Sequence, residues 1–113
     1  MSHKIQDIVD YHKDDTLIIE TTVRNDDEEI VDLTGAAAQW LMKNEAEDPD
    51  GDALLTKTVG EGITIDQPTA GKLEIKIEED EADTVGSFHH RLRVWDNDGH
   101  RSTVFTGSLT VEE

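Results

Sequence analysis

Residues 87–111 read SFHHRLRVWDNDGHRSTVFTGSLTV, and this stretch decides the fold class. Apolar and polar side chains alternate over residues 87–95 and again over residues 102–111. Successive side chains of a β-strand point to opposite faces, so this period of two indicates strands. Between the two runs, residues 96–99 end in Asp-Gly, which is typical of a hairpin turn. We therefore predict two antiparallel strands joined by a tight turn.

The alternation also assigns a face to each side chain of the hairpin. The predicted inward residues are Phe88, His90, Leu92, Val94, Thr103, Phe105, Gly107, Leu109 and Val111. His90 shares its face with apolar residues, so we interpret it as a core histidine rather than a catalytic one. His89 points to the opposite face, so His89 and His90 cannot bind one metal ion together.

Similar runs of strand composition recur along the rest of the chain. The predicted strands are residues 5–9, 16–24, 36–43, 54–59, 63–66 and 72–78, and only residues 78–85 favour a short helical turn. Seven or eight short strands separated by turns are typical of a sandwich. We predict an all-β fold, an immunoglobulin-like antiparallel β-sandwich over residues 16–113, preceded by an N-terminal arm or first strand over residues 1–15.

Length and composition limit the class of protein further. The chain has 113 residues, 35% of them hydrophobic, and no cysteine. This length fits one domain, and the lack of cysteine excludes disulfides and thiolate metal sites. No apolar stretch approaches the roughly 20 residues that span a bilayer. We predict a soluble domain without a membrane partner.

The chain is strongly negative, because its 27 acidic residues outnumber its 10 basic ones and give a net charge of −17. Such a field repels phosphate backbones, so we expect no nucleic-acid partner. The acidic residues are spread over many turns and outward strand positions, which indicates adaptation of a whole surface to molar salt. We predict a halophilic origin, and the alternative is an acidic protein from an ordinary medium.

One stretch departs from this acidity. Arg91, Arg93 and Trp95 fall on one face of a predicted strand, and Arg101 follows the hairpin turn. Arginine and tryptophan are favoured residues in protein interfaces, so these four residues form a candidate partner-binding patch. The alternative is that a loop covers Trp95 and that the arginines pair with acidic neighbours across the strands.

Acidic turns are the other candidate sites. Asp48, Asp50 and Asp52, or Asp96 and Asp98, place several carboxylates close together, as a hard cation requires. The first group lacks the glycine and the bidentate glutamate of an EF-hand loop. Because aspartate is common in solvated turns, we assign no metal ligand.

The sequence gives no sign of catalysis. It contains no Gly-x-Ser-x-Gly, no glycine-rich phosphate loop and no His-Glu-x-x-His. Carboxylates are too abundant for any single pair to indicate a glycosidase. We therefore predict a protein that is not an enzyme and that needs no cofactor.

The order of several short motifs resembles the immunoglobulin-like N-terminal domain of phage baseplate upper proteins and related tail-associated modules. The motifs that carry the resemblance are Asp14-Asp15-Thr16-Leu17, Val31-Asp32-Leu33-Thr34-Gly35-Ala36, the strand containing Trp40, Ala70-Gly71-Lys72-Leu73-Glu74-Ile75, Gly86-Ser87-Phe88 followed by Leu92-x-Val94-x-Asp96, and Gly107-Ser108-Leu109-Thr110-Val111. The resemblance spans about residues 14–111.

The resemblance implies a virion structural protein of a tailed virus, located in the tail or baseplate and assembled in the host cytoplasm. Its partners would be other virion proteins and further copies of itself, in a ring or a trimer. Two alternatives remain open. One is a capsid decoration protein, and the other is a cellular adhesive or carbohydrate-binding sandwich.

Overall fold

The computed structural model describes residues 4–113 except 6, 25–26, 46, 50, 52, 80, 82–83 and 97. The described strands are β1 (Lys4–Ile5), β2 (Ile8–His12), β3 (Leu17–Thr22), β4 (Ala37–Lys43), β5 (Leu55–Val59), β6 (Gly62–Gln67), β7 (Lys72–Ile77), β8 (Gly86–Trp95) and β9 (Arg101–Glu112). A 3-10 turn, Pro68–Ala70, precedes β7. The described residues thus confirm the predicted all-β fold, and they include no helix long and apolar enough to cross a bilayer.

The strands form one curled mixed sheet in the order β1-β9-β8-β4-β5-β6-β7-β3, with β2 also on the outer edge of β9. The sequence predicts seven or eight antiparallel strands, whereas the sheet has nine and three of its pairings are parallel. Two of these parallel pairings come from the N-terminal arm, where β1 and β2 lie along β9. The identity of a strand's neighbour depends on distant residues, which local alternation does not report.

The third parallel pairing lies at the bend between β5 and β6. Only two residue pairs join these strands, Thr58 with Gly62 and Val59 with Ile63. The bend contains Gly60 at φ 89° and Gly62 at φ 107°, a range that residues with a side chain rarely adopt. The bend separates a wide half, made of β1, β2, β9, β8, β4 and β5, from a narrow half, made of β6, β7 and β3.

Both halves contribute their inward faces to one hydrophobic core. Its fully buried side chains include Trp40, Leu92, Phe105 and Leu109 from the wide half and Ile63, Leu73, Ile75 and Ile77 from the narrow half. Burying a large apolar side chain contributes about 1.5–3 kcal/mol relative to exposing it. The core therefore holds the two halves together across the bend.

His90 lies inside this core, as its strand position predicts, and is 0% exposed. The indole Nε1 of Trp40 donates a hydrogen bond of 3.1 Å to Nδ1 of His90. Since the indole group is only a donor, Nδ1 carries no proton and the imidazole is the Nε2–H tautomer. The His90 ring also packs against Phe105, with ring centroids 5.1 Å apart.

One face assignment differs from the sequence prediction, and two outward residues of β4 are buried. A β-bulge near Val104 shifts the register, so Thr103 pairs with outward Arg93 instead of joining Phe105 on the inner face. On β4, Leu41 and Lys43 occupy outward positions but are each only 2% exposed. The ammonium group of Lys43 donates to the backbone carbonyl of Asp48 at 2.9 Å, so the segment after β4 folds back over this end of the sheet.

A partly buried ion pair connects the bend to the segment before β8. Lys57 lies opposite inward Trp40, and its ammonium group donates to the carboxylate of Glu81 at 2.5 Å. This hydrogen bond lowers the pKa of Glu81, against the opposing effect of desolvation. The predicted helical turn over residues 78–85 is, where described, a turn in which the Glu81 N–H donates to the Glu78 carbonyl at 3.1 Å.

Candidate partner-binding face

Strand pairing brings the four predicted patch residues to one face of the sheet. Trp95 of β8 lies directly opposite Arg101 of β9, and Arg91 and Arg93 precede Trp95 at two-residue intervals on the same strand. Positions two apart on a strand share a face, and so do directly opposed positions. We call the outward side of β4, β8 and β9, with these four residues and Lys43, the basic face.

The two central arginines have uncharged residues opposite them on the neighbouring strands. Arg91 lies between Leu41 of β4 and Thr106 of β9. Arg93 lies between Gln39 and Thr103 in the same way. The residues directly opposite Arg91 and Arg93 are therefore not the acidic neighbours that the alternative interpretation requires.

The strands beneath the basic face are nearly free of negative charge. β4, β5 and β8 contain no aspartate or glutamate, and β9 contains one, Glu112 at its C-terminal end. Four of the chain's 10 basic residues lie on this face, in a chain with 27 acidic residues. The acidic surface is therefore not uniform, which the dispersed sequence pattern does not indicate.

The two ends of the basic face differ in accessibility. At one end Lys43 is buried under the segment that follows β4. Burial of His89, followed by the charges of Lys43 and Arg91, lowers the pKa of this imidazole and favours its neutral form. At the hairpin end Arg101 is exposed and Trp95 is partly exposed. The hairpin end is the part of the face that a partner can reach.

A shallow groove of about 440 Å³ lies beside the covered end. Its lining residues are Asn44, Glu45, Ser87, Phe88, His89, Gly107 and Ser108. Ser87 exchanges a hydrogen bond with Thr110, and the backbone N–H of Ser108 donates to Asp7. Among the described hydrogen bonds, none joins either serine to His89, so the groove does not present an activated nucleophile.

The hairpin turn brings together Asp96, Asp98 and His100, whose potential ligand atoms lie within 4.8 Å of one another. Sequence reasoning considered the two aspartates and missed His100, although the alternate spacing of the three residues in a turn was a usable signal. One carboxylate oxygen of Asp96 already accepts the backbone N–H groups of Asp98 and His100, both at 2.9 Å. These hydrogen bonds lower the pKa of Asp96, and the bond from the His100 backbone has the largest effect. The cluster is therefore explained by its role in stabilising the turn.

The other cation candidate is only partly described. Asp48 accepts the backbone N–H of Glu45 at 3.1 Å, which closes a local turn. Asp50 and Asp52 lie outside the described residues. The described geometry therefore assigns Asp48 a role in the turn.

In comparisons with known proteins, no family model matches the chain and no curated protein matches it.

Proposed function

We propose that the chain is an immunoglobulin-like domain that serves as a structural protein in the virion of a tailed virus. Within the tail or baseplate, it joins neighbouring virion proteins through the hairpin end of the basic face. The resemblance over residues 14–111 supplies the class of particle. The observation that carries the binding role is the exposed Arg101 beside Trp95 on strands almost without acidic residues.

The strand order supports the immunoglobulin-like part of this proposal. In that fold one sheet carries the second, fifth and fourth strands, and the facing sheet carries the third, sixth and seventh. With β3 taken as the second strand of that scheme, the narrow half holds β3, β7 and β6, and the wide half holds β4, β8 and β9. β5 then corresponds to the extra strand of variable-type domains, and Trp40 lies on the strand where the fold carries a buried tryptophan.

The net charge supports a particle that assembles in concentrated salt. At ~1 M salt the screening length falls to about 3 Å, so repulsion among the acidic residues largely disappears. We expect the melting temperature of the chain to rise steeply from low salt to molar KCl. A melting temperature independent of KCl would contradict the halophilic assignment and leave the assembly role standing.

The assembly role has a direct experimental test. Virus particles are purified from the host that carries the gene, and their proteins are identified by mass spectrometry with immunogold labelling to locate this chain. Labelling at the tail or baseplate is the expected result. Labelling over the capsid shell would support a decoration protein instead. Absence from the particles, with the chain present in uninfected cells, would contradict a virion role and favour a cellular adhesin.

A further inference from the structure

β3 lies at the end of the strand order and pairs on one side only. Its six residues, Leu17–Thr22, pair with β7 without a register shift. Next along the ladder, the backbone N–H of Val23 donates to the carbonyl of Gly71 at 2.8 Å. Because successive residues of a strand direct their backbone N–H and C=O groups to opposite edges, the odd-numbered residues of β3 bond to β7. The backbone groups that point to the free edge belong to Ile18, Glu20 and Thr22.

The free edge of β3 has no described partner. β3 pairs with no described strand other than β7, and none of the described turn and loop hydrogen bonds involves the backbone of Ile18, Glu20 or Thr22. A strand edge of this kind is a template for pairing with another chain. β3 also lacks the features that usually prevent such pairing, since it contains no proline, no lysine and no bulge.

The opposite edge of the sheet is interrupted. It consists of two short strands, β1 with two residues and β2, whose register with β9 shifts between Ile8 and Tyr11. Between β1 and β2, the carboxylate of Asp7 accepts the backbone N–H of Ser108 at 2.9 Å. Short and irregular edges are poor templates for a further strand. The two ends of the sheet therefore differ, and β3 is the end that a further strand can extend.

We propose that β3 pairs antiparallel with β3 of a second copy of the chain, about a twofold axis that passes beside Thr21. In this register Glu20 of each copy lies opposite Thr22 of the other, and each such pair exchanges two backbone hydrogen bonds. The contact is self-complementary, because both copies present the same donors and acceptors. The narrow halves of the two copies then form one continuous sheet of six strands. The contact does not involve the basic face, so it goes beyond the proposed function and does not depend on it.

The charges on the outward face select this register. Lys72 lies opposite Thr22, on the same face as Glu20, so both signs of charge are present beside the free edge. Placing Glu20 opposite Thr22 of the second copy brings Arg24 of that copy to a diagonal position and Lys72 of that copy to the next strand. A register centred on Glu20 would instead set two like charges opposite each other, which destabilises a sheet. The backbone groups drive the contact, and the charges fix its alignment.

Two side chains of β3 gain partners in this contact. Ile18 is 50% exposed and lies opposite Arg24 of the second copy, whose aliphatic stem can cover it. Thr21 lies opposite Thr21 of the second copy on the inward face. It is 6% exposed, and its hydroxyl has no hydrogen-bond partner among the described residues. Opposed threonines can form a hydrogen bond between their hydroxyls, here after a rotation about χ1.

Salt should strengthen this contact. Each copy carries a net charge of −17, so copies repel one another over long distances in dilute buffer. At ~1 M salt the screening length falls to about 3 Å, which removes most of that repulsion. The backbone hydrogen bonds of the contact join uncharged groups, so screening does not oppose them. We therefore expect association to strengthen from low salt to ~1 M KCl.

Cysteine substitution tests the register, because the chain contains no cysteine of its own. Directly opposed residues between the hydrogen-bonded pairs of an antiparallel ladder have Cα atoms about 4.5 Å apart, which a disulfide can span. Thr21→Cys should therefore give a disulfide-linked dimer under mild oxidation at ~1 M KCl. Glu20→Cys is the matched control. Its position is more exposed, but its counterpart is displaced along the second strand, so it should cross-link much more slowly. Failure of Thr21→Cys to cross-link, or equal cross-linking of the two variants, would overturn the inference.

Proline substitution tests the free edge, with sedimentation of the full chain across a KCl series at submillimolar concentration. Thr22→Pro removes an N–H that points away from β7, so the domain keeps its own ladder while each copy loses a donor to the other. We expect association to weaken by about tenfold or more. Thr22→Val keeps the N–H and the β-branched shape, and it should associate like the wild type.

Circular dichroism establishes that each variant is folded, and the cysteine variants decide the matter if Thr22→Pro does not fold. A wild-type chain that stays monomeric at every KCl concentration would contradict the contact. Normal association of a folded Thr22→Pro variant would contradict it as well.

The outcomes also separate this inference from the proposed function. A monomeric chain that is nevertheless found in purified particles would refute the contact between copies and leave the virion role intact. Cross-linking through Thr21→Cys, in a chain absent from particles, would refute the virion role and leave the contact intact.

Discussion

Trp95 on β8 lies directly opposite Arg101 on β9, and both side chains leave the sheet on its outward side. The second tryptophan, Trp40, lies on β4 with its ring fully buried among core residues. The sheet thus uses one tryptophan for its interior and places the other beside an exposed positive charge. This difference gives the chain a direct internal comparison between a core and a surface tryptophan.

Replacing Trp95 with alanine should leave the domain folded. Because Trp95 is outside the core, we expect the free energy of unfolding to fall by less than about 1.5 kcal/mol. Trp40→Ala removes a core side chain and should cost about 3–5 kcal/mol. Urea unfolding in high salt, followed by circular dichroism, measures both. A loss for Trp95→Ala as large as that for Trp40→Ala would place Trp95 in the core.

Replacing Trp40 with phenylalanine tests the hydrogen bond to His90. The variant keeps an aromatic side chain but removes the donor to Nδ1, which leaves a buried acceptor and should cost about 1–3 kcal/mol beyond the lost volume. Nitrogen NMR of the wild type should show His90 as the Nε2–H tautomer. A proton on Nδ1 would rule out the indole donor.

The ion pair between Lys57 and Glu81 predicts a pH dependence of stability. Hydrogen bonding to Lys57 lowers the pKa of Glu81 below its ordinary value of 4.5. The unfolded chain therefore binds the proton first, and the stabilisation is present above about pH 4.5 and is lost as the pH falls through the folded pKa. Glu81→Gln should flatten this part of the profile, measured as the unfolding free energy from pH 3 to 6. A slope equal to that of the wild type would contradict the pairing.

Gly62 should tolerate a side chain less well than Gly60 does. Its φ of 107° strains any other residue, and an added Cβ would overlap the Cδ of Lys57. Gly60 has a similar φ of 89°, but its Cβ would meet open space. We expect Gly60→Ala to cost about 1 kcal/mol through strain, and Gly62→Ala to cost clearly more because it also displaces Lys57. Equal melting temperatures for the two variants would show that Lys57 does not pass over Gly62.

Local alternation was sufficient to predict β3 to β9 and most of their faces, whereas the single strand predicted over residues 5–9 is two short strands, β1 and β2. The runs around Leu73 and Leu92 have the predicted inward sides, and His90 lies in the core as its apolar neighbours indicate. Alternation failed at Thr103 because a bulge adds one residue to β9 and exchanges the faces of the residues that precede it. The bulge coincides with two adjacent apolar residues, Val104 and Phe105, which are both buried and interrupt the alternation.

Other features depend on contacts between distant residues. The sequence around Lys43 does not indicate that the segment after β4 covers this residue. The sequence around Lys57 does not indicate that Glu81 is its partner. The position of Arg101 opposite Trp95 also depends on the bulge near Val104, because the alternation that predicts Thr103 inward would place Arg101 inward as well. The position of Glu20 opposite Glu74 could not be predicted, because β3 and β7 are far apart in the chain.

The most direct test of an assembly role for the basic face is a cryo-electron microscopy reconstruction of the particle that contains this chain. At a resolution that separates β-strands, the outward side of β8 and β9 should be buried against a neighbouring protein, with Trp95 and Arg101 at the contact. A reconstruction that shows this side facing solvent, while other surfaces of the domain form the contacts, would contradict that role.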